Sequence, residues 1–256
     1  FTIASSISNN PIIDYIKFDV ITNAHSIPND PHFIDELQWN LSLIEMEKAW
    51  EVNYGSEEII VAVIDWGIDL THDELDGNIW INTVELNGQN NVDDDGDGYI
   101  DNFIGWDMAD DDNNPIYPSS NLSHGTSVAG CVSGATNNGT GIASVGWSVK
   151  LMPFRCSNDG QYIEYGYNGI LAAAQMGANV INCSWGGGGN NTFEQAVIDI
   201  AFDIYSAIIV AAAGNGDEDA NIKEYAPHYP ASLDNVVSVC NVKCSYNPVQ
   251  VFTYHT

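Results

Sequence analysis

Basic residues are the scarcest charged residues in this chain. Six lysines and arginines face 35 aspartates and glutamates, giving a formal net charge of −29 over 256 residues. A field of this sign repels polyanions and anionic lipid surfaces, so we expect no nucleic acid partner and no membrane partner. Most of the acidic excess is interpreted as a solvated surface, and one local cluster of aspartates as a place where bound cations offset the charge.

Long apolar runs and an N-terminal leader are also lacking. No hydrophobic stretch approaches the roughly 20 residues that span a bilayer, although 45% of the residues are hydrophobic. The chain starts at Phe1 without a charged-then-apolar segment, so we interpret it as a processed chain or a part of a longer one. Its length allows one large core or two small ones.

Cysteines are few and odd in number, with five in the chain. Most lie in apolar stretches, which favours buried free thiols over disulfides. The last two lack the companions that a zinc site needs. The five are Cys131, Cys156, Cys183, Cys240 and Cys244.

Apolar segments of strand and helix type alternate through most of the chain. Residues 1–38 are punctuated by proline and are predicted to be an irregular lead-in or the end of a preceding segment, followed by a domain at 39–256 that opens with an amphipathic helix. The alternation predicts an α/β fold, a doubly wound parallel sheet with helices on both faces, incomplete at the C-terminus. Strands are predicted at 59–64, 149–154, 180–183, 208–213 and 236–239, and helices from 124, at 163–176 and at 192–205.

Polar residues stand where several of these predicted elements end or begin. Asp65 follows the first buried strand, and the carboxyl ends of parallel strands are where functional residues lie in such sheets. His124 starts a small-residue helix whose N-terminal partial charge disfavours imidazolium, so a neutral ring is available as a base. Asp65 could orient His124, and the amide of Asn215 could donate to an oxyanion. Open backbone at Ser184, Trp185 and Gly186 could pair with an extended peptide.

Together and in this order, these segments resemble the subtilisin-like serine proteases, the subtilases. The matching text is Val61-Ala62-Val63-Ile64-Asp65, His124-Gly125-Thr126, Asn182-Cys183-Ser184-Trp185-Gly186 and Ala213-Gly214-Asn215. The resemblance implies a serine endopeptidase with Asp65 as triad acid, His124 as general base and Asn215 as oxyanion donor, the last being a role for which subtilisin is the standard example. It also implies polypeptide substrates and a secreted or extracytoplasmic protein, and we expect a monomer.

Two departures from the family pattern concern the chemistry. Trp66 stands where the family usually has Ser or Thr. The Gly-Thr-Ser-Met-Ala-x-Pro motif of the nucleophile does not occur before Thr256, so we expect an incomplete catalytic domain that is inactive alone. The alternative hypothesis is a catalytically inactive, calcium-stabilised peptide-binding module. A nucleotide-binding domain is disfavoured because no lysine follows the glycines after Trp185.

A run of aspartates predicts a calcium loop. Asp93, Asp95, Asp97 and Asp101 alternate with other residues, and the carbonyl of Tyr99 falls where an EF-hand uses a backbone oxygen. The bidentate glutamate of that motif is missing, so we expect a shorter loop completed by water or by another carboxylate. Clustered aspartates repel one another, which favours structural Ca²⁺ over a merely solvated run.

A second calcium site is implied by the resemblance alone. Subtilases commonly hold a calcium between an acidic residue after the Asp motif and the loop after the His helix. The matching positions are Glu74 and Asn138, with backbone oxygens near Thr136, Thr140 and Ile142. An exposed glutamate and a turn asparagine fit the same two residues equally well.

Overall fold

The computed structural model describes residues 27–75, 77–116, 124–187, 189, 192–215 and 227–241. Within them the strands form one sheet in the order β2-β3-β1-β4-β5-β6, and every neighbouring pair is parallel. This confirms the predicted α/β class and parallel sheet. The strands are β1 (Ile60–Asp65), β2 (Trp106–Asp107), β3 (Lys150–Arg155), β4 (Val180–Cys183), β5 (Ile208–Ala212) and β6 (Val236–Val239).

Helices cover both faces of the sheet. Successive side chains of a strand point to opposite faces, and in β1 Ile64 joins a core with helix α6 while Val63 joins a second core with helix α5. Both residues are fully buried. The helices are α1 (Pro31–Ile34), α2 (Trp39–Leu43), α3 (Met46–Val52), α4 (Thr83–Leu86), α5 (His124–Ser133), α6 (Gly166–Gln175) and α7 (Thr192–Asp199), with a 3-10 turn at Asp73–Leu75 and a π-helical turn at Ile200–Ile204.

The central strand marks the point where the strand order reverses. β1 pairs with β3 on one side and with β4 on the other. Loops that leave the carboxyl ends of such strands diverge and open a crevice, which is where ligands bind in doubly wound sheets. Asp65 is the last residue of β1, and Ser184 directly follows β4, so both lie at this crevice.

The N-terminal region differs from its prediction in two ways. Residues 31–34 are helical rather than irregular, because Pro31 suits the first turn of a helix and Phe33 packs in a small core with Leu41 and Trp50. The single helix expected after Trp39 is two helices, α2 and α3. Glu45 separates them in a left-handed conformation with φ 56°.

Other elements are as predicted, apart from their ends. The observed strands begin or end within one residue of the predicted ones, and the helix expected at 192–205 changes from α to π geometry at Ile200. The short strand β2 was not predicted, since two residues carry no periodicity. None of the described helices has the length and apolar character needed to cross a membrane.

The thiol prediction is confirmed for two buried cysteines. Cys156 and Cys183 are free and fully buried, and burial raises the pKa of each thiol, which keeps it protonated and unreactive. Cys131 is also free, but it lies on the exposed side of α5 rather than in the core. Cys244 lies outside the described residues.

Candidate active site

Asp65 and His124 meet at the carboxyl end of β1. The Nδ1 atom of His124 lies 2.8 Å from Oδ1 and 2.9 Å from Oδ2 of Asp65, although the residues are 59 positions apart in the chain. Asp65 is 1% exposed, whereas the side chain of His124 is 42% exposed. Because a carboxylate can only accept, Nδ1 carries a proton, and in the neutral ring Nε2 keeps the lone pair.

Two glycines allow this approach. A Cβ atom on Gly125 would lie 2.3 Å from the carbonyl oxygen of Gly67, so only glycine lets the first turn of α5 rest on the loop after β1. Gly67 has φ 110°, a conformation that side chains rarely adopt. Gly125 is therefore required by the close helix–loop contact, and Gly67 by the backbone conformation of the loop.

Asp65 determines the protonation behaviour of His124. The hydrogen bond that His124 donates to Asp65 is the largest influence and raises the pKa of His124 above its usual value. The negative charge of Asp65 acts in the same direction, against the opposing effect of burial. The helix N-terminus alone was expected to disfavour imidazolium. The carboxylate acts in the opposite direction and outweighs burial, so the ring binds a proton more readily than an isolated histidine does.

Trp66 lies against the ring of His124. Their ring centroids are 5.1 Å apart with the planes inclined by 39°. The backbone N–H of Trp66 donates to Oδ1 of Asp65 at 2.8 Å. An aromatic ring in contact with the histidine thus stands where the family pattern has a small hydroxyl residue.

The predicted substrate segment follows β4 at the same edge of the sheet. Trp185 donates from Nε1 to the carbonyl oxygen of Ile64 at 2.9 Å, which fixes the segment to the end of β1. The hydroxyl of Ser184 accepts from the amide of Asn182 at 2.9 Å. Trp185 therefore lies against the end of β1, and Ser184 and Gly186 flank it in the segment that leaves β4 at the same edge of the sheet.

His228 is a residue of this crevice that the sequence did not reveal. A Cβ on Gly186 would lie 2.3 Å from Nε2 of His228, and one on Gly214 would lie 3.4 Å from the same imidazole. The ring therefore lies between the segment after β4 and the turn after β5. A single histidine in an irregular stretch offers no pattern from which this position could have been predicted.

Asn215 is the third residue after Ala212, the last residue of β5, and is exposed. β5 pairs with β4 in a register that sets Cys183 beside Ala211, so the turns after the two strands share one edge of the sheet. The residues that follow, 216–226, lie outside the described residues.

The acidic loop gathers carboxylates around a buried glutamate. Glu85 is 2% exposed and lies in α4. Its Oε1 accepts from the backbone of Asp94 at 2.6 Å, and its Oε2 from that of Asp101 at 2.8 Å. Carboxylate oxygens of Glu85, Asp93 and Asp95 lie within 4.8 Å of one another.

This grouping differs in part from the predicted ligand set. Asp93 and Asp95 belong to it, whereas Asp97 accepts hydrogen bonds from Asn102 and from the backbone of Tyr99. Asp101 contributes Oδ1 as a buried oxygen without a hydrogen-bond partner. Glu85 was missed because it precedes the aspartate run and falls in an apolar helix. Its acidic character among Val84 and Leu86 was the available signal.

Glu74 and Asn138 are also brought together. Thr140 donates from its hydroxyl to Oε1 of Glu74 at 3.3 Å and to Oδ1 of Asn138 at 2.9 Å. Asp30, which the sequence did not indicate, is fully buried beside them and accepts from the backbone of Asn137 at 2.7 Å. Glu74 and Asp30, from two distant segments, therefore converge on the loop after α5 that carries Asn138.

The pairing of Asp65 with His124 at the switch point of the sheet agrees with a comparison against protein families. The model of the subtilase family matches residues 56–255. The chain belongs to the subtilase family. Its structural neighbours are proteases of the same kind, which confirms the fold and the recognition made from the sequence motifs.

Individual relatives cover most of this chain. The thermophilic serine proteinase of Bacillus sp. (strain AK1) is 29% identical over 239 residues, which are 93% of this chain and 51% of that protein. The extracellular basic protease of Dichelobacter nodosus is 30% identical over 263 residues, covering 93% and 41%. The crystal structure of fervidolysin from Fervidobacterium pennivorans, a keratinolytic enzyme related to subtilisin, matches with a TM-score of 0.65 at 25% identity, covering 93% of this chain and 32% of that one.

The chain spans about half, or less, of the length of each of these three relatives. It spans 51% of the Bacillus proteinase and 32% of the fervidolysin chain. The matched part includes the Asp65 and His124 motifs, since the family match begins at residue 56.

Proposed function

We propose that this chain supplies the acid, the general base and the oxyanion donor of a subtilisin-like serine endopeptidase that hydrolyses polypeptides. The observation that carries the proposal is the 2.8 Å contact between Nδ1 of His124 and Asp65 at the carboxyl end of β1. A carboxylate that orients an imidazole beside an open crevice is the arrangement that activates a serine nucleophile.

The proposed mechanism assigns one task to each residue. Nε2 of His124 takes the proton from the serine hydroxyl as that oxygen attacks the substrate carbonyl, and Asp65 stabilises the imidazolium that results. The side-chain amide of Asn215 donates to the oxyanion of the tetrahedral intermediate. His124 then returns the proton to the leaving amine, and water releases the acyl group in a second cycle. The segment of Ser184 and Gly186 would pair with the extended substrate backbone.

The decisive experiment uses the full-length gene product and denatured protein as substrate. His124→Ala is expected to lower hydrolysis about 10⁴-fold or more, because the nucleophile loses its base. His32→Ala is the matched control, since His32 is exposed and its backbone N–H bonds to the loop at Gly141. Equal rates for His124→Ala and the parent protein would refute the proposal.

We further propose that the protein acts outside the cytoplasm. The support is the name of the Dichelobacter relative, an extracellular protease that aligns with 93% of this chain. Fractionation of the native host into culture medium and cells, followed by immunodetection, tests this proposal. Detection confined to the cytoplasm would overturn it.

We propose Ca²⁺ as the structural ion of the acidic loop. Three carboxylates within 4.8 Å of one another, with a buried and unpartnered oxygen of Asp101 nearby, form an all-oxygen donor set of the kind that calcium prefers. The ion would offset the repulsion among Glu85, Asp93 and Asp95 and so stabilise the loop. Isothermal titration with Ca²⁺ after chelator treatment tests this site, and Glu85→Gln is expected to weaken it.

A second calcium position is proposed at the loop after α5. Its support is the convergence of Glu74, Asn138 and the buried carboxylate of Asp30. Asp30→Asn is expected to reduce the number of ions bound by one without affecting the acidic loop. An unchanged stoichiometry would remove this position from the proposal.

The alternative function is a peptide-binding module that does not cleave. The observation that favours it is Trp66, whose indole lies 5.1 Å from the ring of His124 at a position of a small hydroxyl residue in the family pattern. Full-length protein that binds denatured polypeptide in equilibrium dialysis, yet leaves it intact after prolonged incubation with Ca²⁺, would favour this alternative over the endopeptidase.

A further inference from the structure

Trp66 makes the one aromatic ring contact recorded for His124 among the described residues. The two ring centroids are 5.1 Å apart, and the ring planes are inclined by 39°. A cation within about 6 Å of an indole centroid is attracted by the negative face of the ring. The indole therefore lies close enough to interact with the imidazolium form as well as to pack against the neutral ring.

The backbone holds this indole in place. The N–H of Trp66 donates to Oδ1 of Asp65 at 2.8 Å. Trp66 also forms an antiparallel bridge with Arg155, at the end of the neighbouring strand β3. Both contacts lie at the carboxyl ends of the central strands. The backbone that carries the indole is therefore fixed beside the carboxylate that orients His124.

We infer that Trp66 is a positioning residue whose indole face holds the imidazole of His124 in line with Asp65 and stabilises its protonated form. The catalytic meaning of this role rests on the proposed endopeptidase function, in which an imidazolium forms at each acyl-transfer step. The ring of Trp66 would thus hold the catalytic pair in place, a task that the Ser or Thr of the family pattern could perform through a hydrogen bond.

Charged groups on the other elements around His124 do not mask an effect of the indole on its proton binding. Asp65 is the carboxylate in direct contact with the ring, and it raises the pKa of His124. On β3, the guanidinium of Arg155 forms ion pairs with Asp107 and Asp110, which offset its charge.

Residues of the 3-10 turn lie at the far end of α5. The carbonyl of Glu74 accepts from Ala135, just beyond the C-terminal end of the helix that His124 begins. Asp73 belongs to the same turn. Asp69 lies nearer, since its backbone N–H donates to the hydroxyl of Thr126 in the first turn of α5, but its carboxylate accepts from Thr71. Asp65 and the indole are the groups in direct contact with the imidazole.

The test follows the imidazole Cε1 proton of His124 by NMR as pH changes, in the 256-residue chain and in two variants. Trp66→Leu keeps an apolar side chain without a π face, and we expect it to weaken proton binding by His124 about threefold. Trp66→Phe retains an aromatic face and is expected to preserve most of the effect. His32, whose backbone N–H donates to the loop at Gly141, serves as an internal control, and neither substitution should move its Cε1 resonance.

Two results would overturn the inference. One is a Trp66→Leu variant in which His124 titrates as in the parent chain. The other requires no variant and so decides the matter even if Trp66→Leu does not fold. In the parent chain the indole ring current should displace the His124 ring protons upfield, and unshifted resonances would show that the rings do not stack in solution.

The measurement separates this inference from the proposed function. It reports on proton binding and ring position, and neither requires turnover. A negative result would remove the role of Trp66 and leave the hydrolysis proposal standing. An inactive full-length protein in which Trp66→Leu still weakens proton binding would contradict the hydrolysis proposal alone.

Discussion

Two carboxylates of this chain are buried to nearly the same degree, yet their surroundings differ. Asp65 is 1% exposed and Glu85 is 2% exposed. Asp65 is paired with His124, 59 positions away, because α5 packs on β1. Glu85 receives backbone N–H groups from within 16 positions and has Asp93 and Asp95 beside it.

The difference explains what each site is suited to do. A buried carboxylate needs compensation for the water it loses. Asp65 obtains it from a ring that can bind and release a proton near neutral pH, which suits acid–base chemistry. Glu85 obtains it from fixed backbone donors while further carboxylates crowd around it, an arrangement that a divalent cation would neutralise. The first arrangement therefore suits proton transfer, and the second suits a bound cation.

The largest expected effect comes from breaking the side-chain partnership. Asp65→Asn should preserve the packing at β1 but no longer hold Nδ1 of His124 as a donor, so hydrolysis by the full-length product should fall about 10⁴-fold. Initial rates on denatured protein provide the measurement. Asp69→Asn is the matched control, since Asp69 caps Thr71 in the next turn. Similar losses in both variants would mean that the effect is structural.

The next effect concerns the ion. At a calcium concentration of 100 times Kd the ion should add about 2.7 kcal/mol to the free energy of unfolding, which corresponds to roughly 5–10 °C in Tm for a chain of this size. Glu85→Gln should abolish most of this calcium-dependent rise, whereas Glu58→Gln, on an exposed turn, should retain it. Scanning calorimetry measures the difference in Tm between samples with calcium and with a chelator. A calcium-independent Tm in the parent chain would count against the site.

The sequence predicted the sheet and the Asp65–His124 pair because both depend on regular patterns. Six apolar residues before Asp65 identify a buried parallel strand, and alternation of strands and helices fixes the edge at which functional residues meet. The helix from His124 was recognisable by its small residues. The close contact of this helix with the loop at Gly67 depends on one of these small residues, Gly125.

Residues missed by the sequence analysis owe their positions to tertiary contacts that leave no local pattern. Glu85 is buried by a four-residue helix, too short for periodicity to reveal which side is covered. Asp30 is buried because α1 packs against the loop after α5. His228 reaches the crevice through pairing of Tyr229 with Gly187. The raised pKa of His124 likewise required the distance to Asp65, since the helix terminus alone favours the opposite direction.

A smaller effect should distinguish the two glycines of α5. A Cβ on Gly125 would lie 2.3 Å from the carbonyl oxygen of Gly67, whereas one on Gly130 would lie 3.3 Å from the flexible end of Ile142. Gly125→Ala should therefore destabilise the chain by about 1–3 kcal/mol, as overpacking against backbone does. Gly130→Ala should cost little, because alanine gains about 1 kcal/mol in helix propensity. Urea unfolding gives the free energy of unfolding of the two variants. Equal values would argue against the close contact of α5 with Gly67.

The smallest effect is the pH dependence that His124 gives to stability. Since Asp65 raises the pKa of His124 in the folded chain, the folded state binds a proton more tightly than the unfolded state. This contribution is complete below the unfolded pKa of about 6.5, and it is lost as the pH rises through the higher folded value. The side chain is 42% exposed, so solvent screening should keep the contribution below about 1 kcal/mol. Urea titrations across this range should show the decline in the parent chain and in Glu85→Gln, but not in His124→Gln. A decline of equal size in His124→Gln would assign it to other groups and would weaken the contrast between the proton-binding site and the acidic loop.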